Sequence, residues 1–350
     1  MLIGLDPSIG AILALDGISS GIIYGLVAIA LVLVFAVTRI LFLPQGEFVV
    51  FGALTLAMFQ EGVIPGTVWL LLLLALCATA TRVFDHLRRG QPEGMLRTLV
   101  FNLIVPCCIA ALAAWAAPHK LALPLQVGLT LLLVTALGPL LYTVVFESMA
   151  DASVLVLLIV AVGVHMAGTG LGLVFFGAEG FRTPAFWDDR WSLGAVTLNG
   201  QTVVVMLAAA VLLAALWLFF ERTLYGKALR ATALNRLGAR LMGVSGPLVG
   251  RLAFGMAAFI GALSGMLVGP GTTIFYDSGF VIGIKGFVVA VIGGLTSFPA
   301  TALGALFIGL LESFSSFWAS DYKEIIVFMS LLPILLWRSY GAPVHDEQEE

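Results

Sequence analysis

ILALDGISSGIIYGLVAIALVLVFAVT, residues 12–38, decides the fold class, because this long run holds a single charged group, Asp16, close to its start. A helix of that length rises about 40 Å, more than the roughly 30 Å hydrocarbon core of a bilayer. Gly17, Gly21 and Gly25 recur within it at four-residue spacing. That spacing puts them on one helix face, a smooth strip along which another backbone can approach closely. Apolar runs of the same kind recur near 45–60, 66–81, 98–117, 122–146, 153–176, 200–221, 249–269, 280–297, 299–318 and 324–338. The chain therefore reads as one transmembrane domain, 1–350. Its expected fold is all-α: a polytopic transmembrane helical bundle of about 10–11 membrane segments. The short run 45–60, bounded by Pro44 and Pro65, is the candidate for a broken or re-entrant element.

Composition agrees. The 350 residues are 61% hydrophobic and 11% charged, where a soluble domain carries about 25% charged residues. The net charge is only −3, and four acids fall in the tail HDEQEE within 341–350. The N-terminus MLIGLDPSIG has neither a positive n-region nor a small-residue cleavage site, so the first run is expected to stay as a span. Cys77, Cys107 and Cys108 sit in apolar runs without ligand-like spacing and read as buried small apolar side chains.

Lysine and arginine accumulate in cytoplasmic loops. With the N-terminus outside and eleven crossings, the inside holds Arg39, Arg82, Arg88, Arg89, Arg97, Arg222, Lys227, Arg230, Arg236, Arg240, Arg251 and Arg338. The outside holds Lys120, Arg182, Arg190 and Lys323, and Lys285 is left inside a span. The census places the C-terminus in the cytoplasm. It also places there the basic, alanine-rich stretch 221–251, ERTLYGKALRATALNRLGARLMGVSGPLVGR, with six of the 17 bases. Its loop, 222–248, is long enough to hold a short helix and is read as docking a partner.

On the opposite side, 178–200 forms the largest external loop, with Trp187 and Trp191 suited to a membrane interface. It reads either as a docking surface or as a loop folded over the spans. A second small-residue ladder, Ala253, Ala257, Gly261, Gly265 and Gly269, marks the eighth run. Two such ladders are read as packing strips, and also as a hint of paired halves around a central seam.

The motifs of catalysis are missing. GxxxxGK[ST], HExxH and GxSxG do not occur, and His86, His119, His165 and His345 lie on different segments. The chain is expected to be no enzyme and to hold no metal and no ATP. Its ionisable groups within or beside spans are few: Glu47, His165, Asp277, Lys285 and Glu312. Such charges are costly and must face one another, water or a solute. Asp277 and Lys285 are eight apart, which returns to one helix face, so both can line a path or pair with neighbouring helices. With Gln45, Gly46 and Glu47 of the LPQGE break, and with Gly261 and Gly265 of the ladder, they form the candidate translocation path.

Three blocks resemble a known family. They are GIIYGLVAIALVLVFAVTRILFLPQGEFVVFGAL, GKALRATALNRLGARLMGVS and KGFVVAVIGGLTSFPATALGALFIGLLES, with a weaker middle match, ASVLVLLIVAVGVHMAGTGLGLVFFG. Together they are similar to the LivH-type membrane permease subunits of branched-chain amino acid ABC transporters. The resemblance implies a bacterial inner-membrane importer moving a small polar solute: a branched-chain or other amino acid, or urea, an amide or an aromatic acid. The implied partners are a second related permease in a heterodimer, two cytoplasmic ATP-binding subunits that carry ATP and Mg, and a periplasmic solute-binding protein. Membrane lipid surrounds the chain, and no nucleic acid is implied.

The second block matches the family's cytoplasmic coupling loop at Gly226, Lys227, Ala228, Arg230, Ala231, Asn235, Ala239, Leu241, Met242 and Gly243, with Arg236 and Arg240 adding charge. On one ideal helix, Lys227 and Arg230 face away from Arg236 and Arg240, so the element reads as two short helices or as one gripping two surfaces. Two departures stand out: LPQG replaces a FAHG-like break, and 77–121 is a family-atypical insertion. The competing reading is an ion- or proton-coupled secondary transporter, with Glu47, His165, Asp277, Lys285 and Glu312 as the relay.

Overall fold

The computed structural model describes residues 7–89, 95–193, 196–295 and 297–341, so the acidic tail beyond 341 lies outside them. The described chain is mostly helical, with a single two-stranded antiparallel pair among the described residues. The helices are α1 (Pro7–Thr38), α2 (Gln45–Glu61), α3 (Gly66–Arg89), α4 (Met95–Leu99), α5 (Val105–Ala116), α6 (Leu123–Leu141), α7 (Val154–Phe176), α8 (Gly200–Arg222), α9 (Leu224–Leu234), α10 (Arg236–Leu241), α11 (Gly246–Val268), α12 (Gly279–Ile292), α13 (Phe298–Trp318), α14 (Lys323–Met329) and α15 (Leu331–Gly341). Strands β1 (Arg190–Leu193) and β2 (Val196–Asn199) pair antiparallel between α7 and α8.

Among the described residues, eight helical stretches are long and apolar enough to cross a membrane: α1, α3, Val100–His119, Leu123–Met149, α7, α8, α11 and α13. The other three apolar runs predicted from sequence differ in kind. At 17 and 14 residues, α2 and α12 rise only about 25 and 21 Å, short of a hydrocarbon core. The last run is broken into α14 and α15.

The bundle is built on α1, α2, α6, α11, α12 and α13, whose apolar faces form one core containing Leu26, Val49, Leu133, Phe254 and Ile308. The two small-residue ladders meet different partners. Gly17 and Gly21 lie against Ala305, Gly309 and Leu310 of α13, whereas Gly261 and Gly265 lie against Phe48, Val49 and Ala53 of α2. A Cβ on Gly265 would fall on the Val49 carbonyl.

Each ladder helix is followed by an irregular stretch and then a short helix. After α1, residues 39–44 turn inward, beginning at Arg39 with φ 61°. Phe42 is fully buried there against Phe48, Phe146 and Phe254. Irregular backbone at membrane depth is tolerated where protein covers it. Helix α2 then starts halfway along α11, where the Gln45 amide donates to the Ala257 carbonyl at 2.9 Å. After α11, α12 begins at the same level: the N-termini of α2 and α12 meet, and a Cβ on Gly46 would fall on the Gly279 carbonyl.

Within and beside 77–121, α3, which begins at Gly66, packs on α6 and α7, and α5 packs on α3 and α6. Arg82 near the end of α3 pairs with Glu147 below α6. The cysteine expectation fails, because Cys77 and Cys108 are exposed and Cys107 is half-buried. On an outer face of a membrane bundle, a small apolar thiol loses nothing by facing hydrocarbon.

Candidate functional site

Two regions collect the residues singled out above. The first is the connector between α8 and α11. Thr223 caps α9 by accepting from the Gly226 N–H at 2.9 Å, and Asn235 caps α10 by accepting from the Gly238 N–H at 2.8 Å. Asn235 itself is extended, φ −151°, so the connector is two short helices rather than one. Gly243, at φ 85°, terminates α10, with its N–H donating to the Arg240 carbonyl.

Close approach anchors the pair to the bundle. Gly226 abuts the backbone of Phe219 and Phe220, and Leu229 packs with Leu33 and Val37 of α1 and Val249 and Ala253 of α11. The bases are less free than their number implied. Arg230 pairs with Glu221 and Arg240 with Asp151, each at 2.9 Å. Arg236 lines a small recess together with Tyr142 and Thr38. Burial first, and then the neighbouring Arg240, hold its guanidinium below the ordinary arginine range. Lys227, Ala231 and Asn235 are exposed, and Ala228 is half-buried.

Beside Lys227 and Asn235 the connector also exposes large apolar side chains, Leu224, Tyr225, Leu234, Leu237, Leu241 and Met242, of which Leu234 and Met242 are 84% and 86% exposed. This crown lies beyond the end of α8 and before the start of α11, at one end of the bundle. Of these residues, the family resemblance pointed only to Leu241 and Met242. The others follow from burial, since their small neighbours, not they, face the bundle.

The second region is a cavity of about 910 Å³ at the opposite end, on the hairpin side. Its walls are α1 (Asp16, Ser19, Ser20, Tyr24), Ser278 with Ile282 and Lys285 of α12, and Glu312 of α13. Residues 182–190 fold over as its roof, where Arg182, Pro184, Trp187, Asp188 and Arg190 line it. Backbone pairing fixes this roof: Phe181 and Ile274 exchange both N–H···O bonds at 2.9 Å, and Arg182 donates to the Pro270 carbonyl at 3.0 Å.

At the inner wall, Lys285 is 4% exposed and donates to Glu312 at 2.6 Å and Glu324 at 2.9 Å. Its ammonium stands 5.5 Å from the centre of the Tyr24 ring. Sequence reasoning flagged Lys285 and Glu312 but missed Glu324 and Tyr24. Asp277 is exposed and precedes α12, so it does not share that helix face with Lys285.

Glu47 belongs to a different cluster. It is buried at the start of α2, where His165 of α7 meets its Oε1 at 2.8 Å and Thr169 donates to the same atom at 3.4 Å. The His165 ring stacks on Phe280 at the start of α12. This group joins α7 to the meeting point of α2 and α12, beside a separate apolar cavity of about 170 Å³. Gln45, Gly46, Gly261 and Gly265 close this junction by packing and do not line the larger cavity.

Comparison with known proteins places these features in context. Residues 94–335 match the family described as the permease component of branched-chain amino acid transport systems. The LivH permease protein of the high-affinity branched-chain amino acid transport system of Salmonella typhimurium is 26% identical over 63% of this chain and 74% of its own length. The Escherichia coli K12 LivH is 27% identical over 59% and 70%, and BraD of Pseudomonas aeruginosa 25% over 63% and 74%. PsaBC from Streptococcus pneumoniae, solved with a Fab, aligns over 94% of this chain at a TM-score of 0.38 and 13% identity, too slight a likeness to bear on the fold.

Proposed function

The chain belongs to the permease family of branched-chain amino acid transport systems, and from that premise we propose that it imports a small polar solute, an amino acid first of all, by ATP-driven alternating access. It does so beside a second, related permease, two ATP-binding subunits and a periplasmic solute-binding protein. ATP and Mg stay on the ATP-binding subunits. The observation that carries this reading is the exposed apolar crown on α9 and α10. Large apolar side chains gathered at one exposed end of a bundle mark an interaction site.

The crown faces the cytoplasm in this reading, with the N-terminus outside. The lysine and arginine distribution supports that orientation. Thr223 and Asn235 cap two short helices, of which α9 packs through Leu229 on α1 and α11 while α10 packs on α9. Force applied to the crown is therefore delivered to both ladder helices, and through Gly261 and Gly265 to the junction of α2 and α12. The polar cavity on the hairpin side receives the solute.

Uptake by the complex reconstituted in proteoliposomes tests the proposal. Transport that requires ATP and persists after an ionophore collapses the proton and sodium gradients is the expected result. Transport that stops with the gradient and runs without ATP would instead establish the secondary-transporter reading.

A further inference from the structure

We propose that residues 182–190, the roof of the 910 Å³ cavity, are a flap carried by α11 that opens against α1, and that Gln201 is the residue that positions it. This rests on the importer reading and locates the outer gate within it.

The roof is bonded on one side only. Gln201, at the start of α8, spans the joint. Its amide oxygen accepts from the Phe186 N–H of the roof, and its amide nitrogen donates to the Leu267 carbonyl near the end of α11, both at 3.1 Å. The Thr183 N–H donates to the Gly269 carbonyl at 3.4 Å, beside the Arg182–Pro270 bond and the Phe181–Ile274 pair. Parting the roof from 267–274 therefore breaks all of these bonds together.

Across the cavity the situation is reversed. Among the described residues, no hydrogen bond or ion pair joins 182–190 to α1, α12, α13 or α14. Strand β2 and α8 lie beside α1, also without one. The far wall is held by its own contacts: Ser313 Oγ of α13 donates to the Leu13 carbonyl of α1 at 2.7 Å, next to the close approach of Gly17 to α13. Asp16, Ser19 and Ser20 on α1 and Arg182 and Asp188 on the roof line the cavity from its two sides. Water enters between such groups without new apolar surface being exposed.

The flap has a hinge and a drive. The chain leaves α7 at Gly177, whose φ of 82° favours glycine and which has open space where a side chain would stand. Helix α11 rises about 35 Å over its 23 residues. It packs on Leu229 of the connector through Val249 and Ala253 near its start, and it meets Gln201 near its end. A displacement of the connector thus reaches the roof through a single helix.

Spin-label distances in the reconstituted complex, on a cysteine-free background, test the flap. One pair, Ser19→Cys with Asp188→Cys, spans the cavity; the other, Thr272→Cys with Asp188→Cys, stays on the bonded side. Between the nucleotide-free complex and the complex trapped with ATP and vanadate, the first distance is expected to change and the second to hold. Gln201→Leu is expected to let the second distance change or broaden, and to lower ATP-driven uptake about tenfold while ATP hydrolysis continues. A cavity-spanning distance that stays fixed in a complex that takes up solute with ATP would overturn the flap and leave the importer standing. So would a bonded-side distance that changes as much as the first, or a Gln201→Leu chain that matches the parent in both readouts. If that variant does not fold, the two distances in the parent decide alone. Uptake that runs without ATP would remove the importer reading, and the flap with it.

Discussion

Glu47 and His165 are the clearest case of a residue pair whose burial demands explanation. His165→Leu leaves the Glu47 carboxyl enclosed without its nearest donor, at a cost of about 1–3 kcal/mol. Thermal unfolding in detergent should show a lowered midpoint, and a Glu47→Leu/His165→Leu double variant should recover part of the loss, because both polar partners are then removed. A double variant worse than the sum of the two singles would contradict this. The glycines separate by their surroundings in the same way. Gly265→Ala drives a methyl into the Val49 backbone and should cost about 1–3 kcal/mol or more. Gly128→Ala in α6 meets open space and should be neutral or mildly stabilising. Equal unfolding midpoints for the two variants would show that the ladder is not a packing seam.

At the scale of elements, the α9–α10 connector separates docking from stability. The Arg240–Asp151 pair is largely solvated, so Arg240→Ala should change stability by less than about 1 kcal/mol. Leu237→Asp with Met242→Asp should leave insertion and unfolding unchanged while abolishing ATP-driven uptake, since both side chains face outward. Unchanged uptake would argue against docking there.

The two-helix alternative was legible from the opposed faces of Lys227 and Arg230 against Arg236 and Arg240, whereas the caps at Thr223 and Asn235 show only in the structure. The docking face was legible only in part. A basic composition drew attention to arginines that turn out to pair within the chain, and exposure of Leu224, Leu234 and Leu237 depends on which side α1 and α11 occupy. Helix α12 carries the same lesson. The eight-residue spacing of Asp277 and Lys285 presupposed a helix already begun at 277, but a turn precedes Gly279. The actual partners are Glu312 of α13 and Glu324 of α14, and nothing in local spacing announces either.

For the whole molecule, hydropathy gave the bundle because each span satisfies its own backbone and announces itself in about 20 residues. Hydropathy alone does not separate full spans from α2 and α12, since an apolar run is equally apolar when protein rather than lipid covers it; Pro44 and Pro65 marked 45–60 as the exception, and nothing marked α12. Orientation has a direct check: on a cysteine-free background, Asp188→Cys should react with a membrane-impermeant thiol reagent on intact cells, and Leu237→Cys only after permeabilisation. The reverse pattern would invert the topology.

The central claim, that the apolar crown seats an ATP-binding subunit, is tested most directly by purifying the intact chain in mild detergent. Its companions are then identified by mass spectrometry and their ATP hydrolysis is measured. The wild-type chain should retain a subunit that hydrolyses ATP, and the Leu237→Asp/Met242→Asp variant should lose it. A wild-type chain that transports solute yet brings down no ATP-binding subunit would contradict the account.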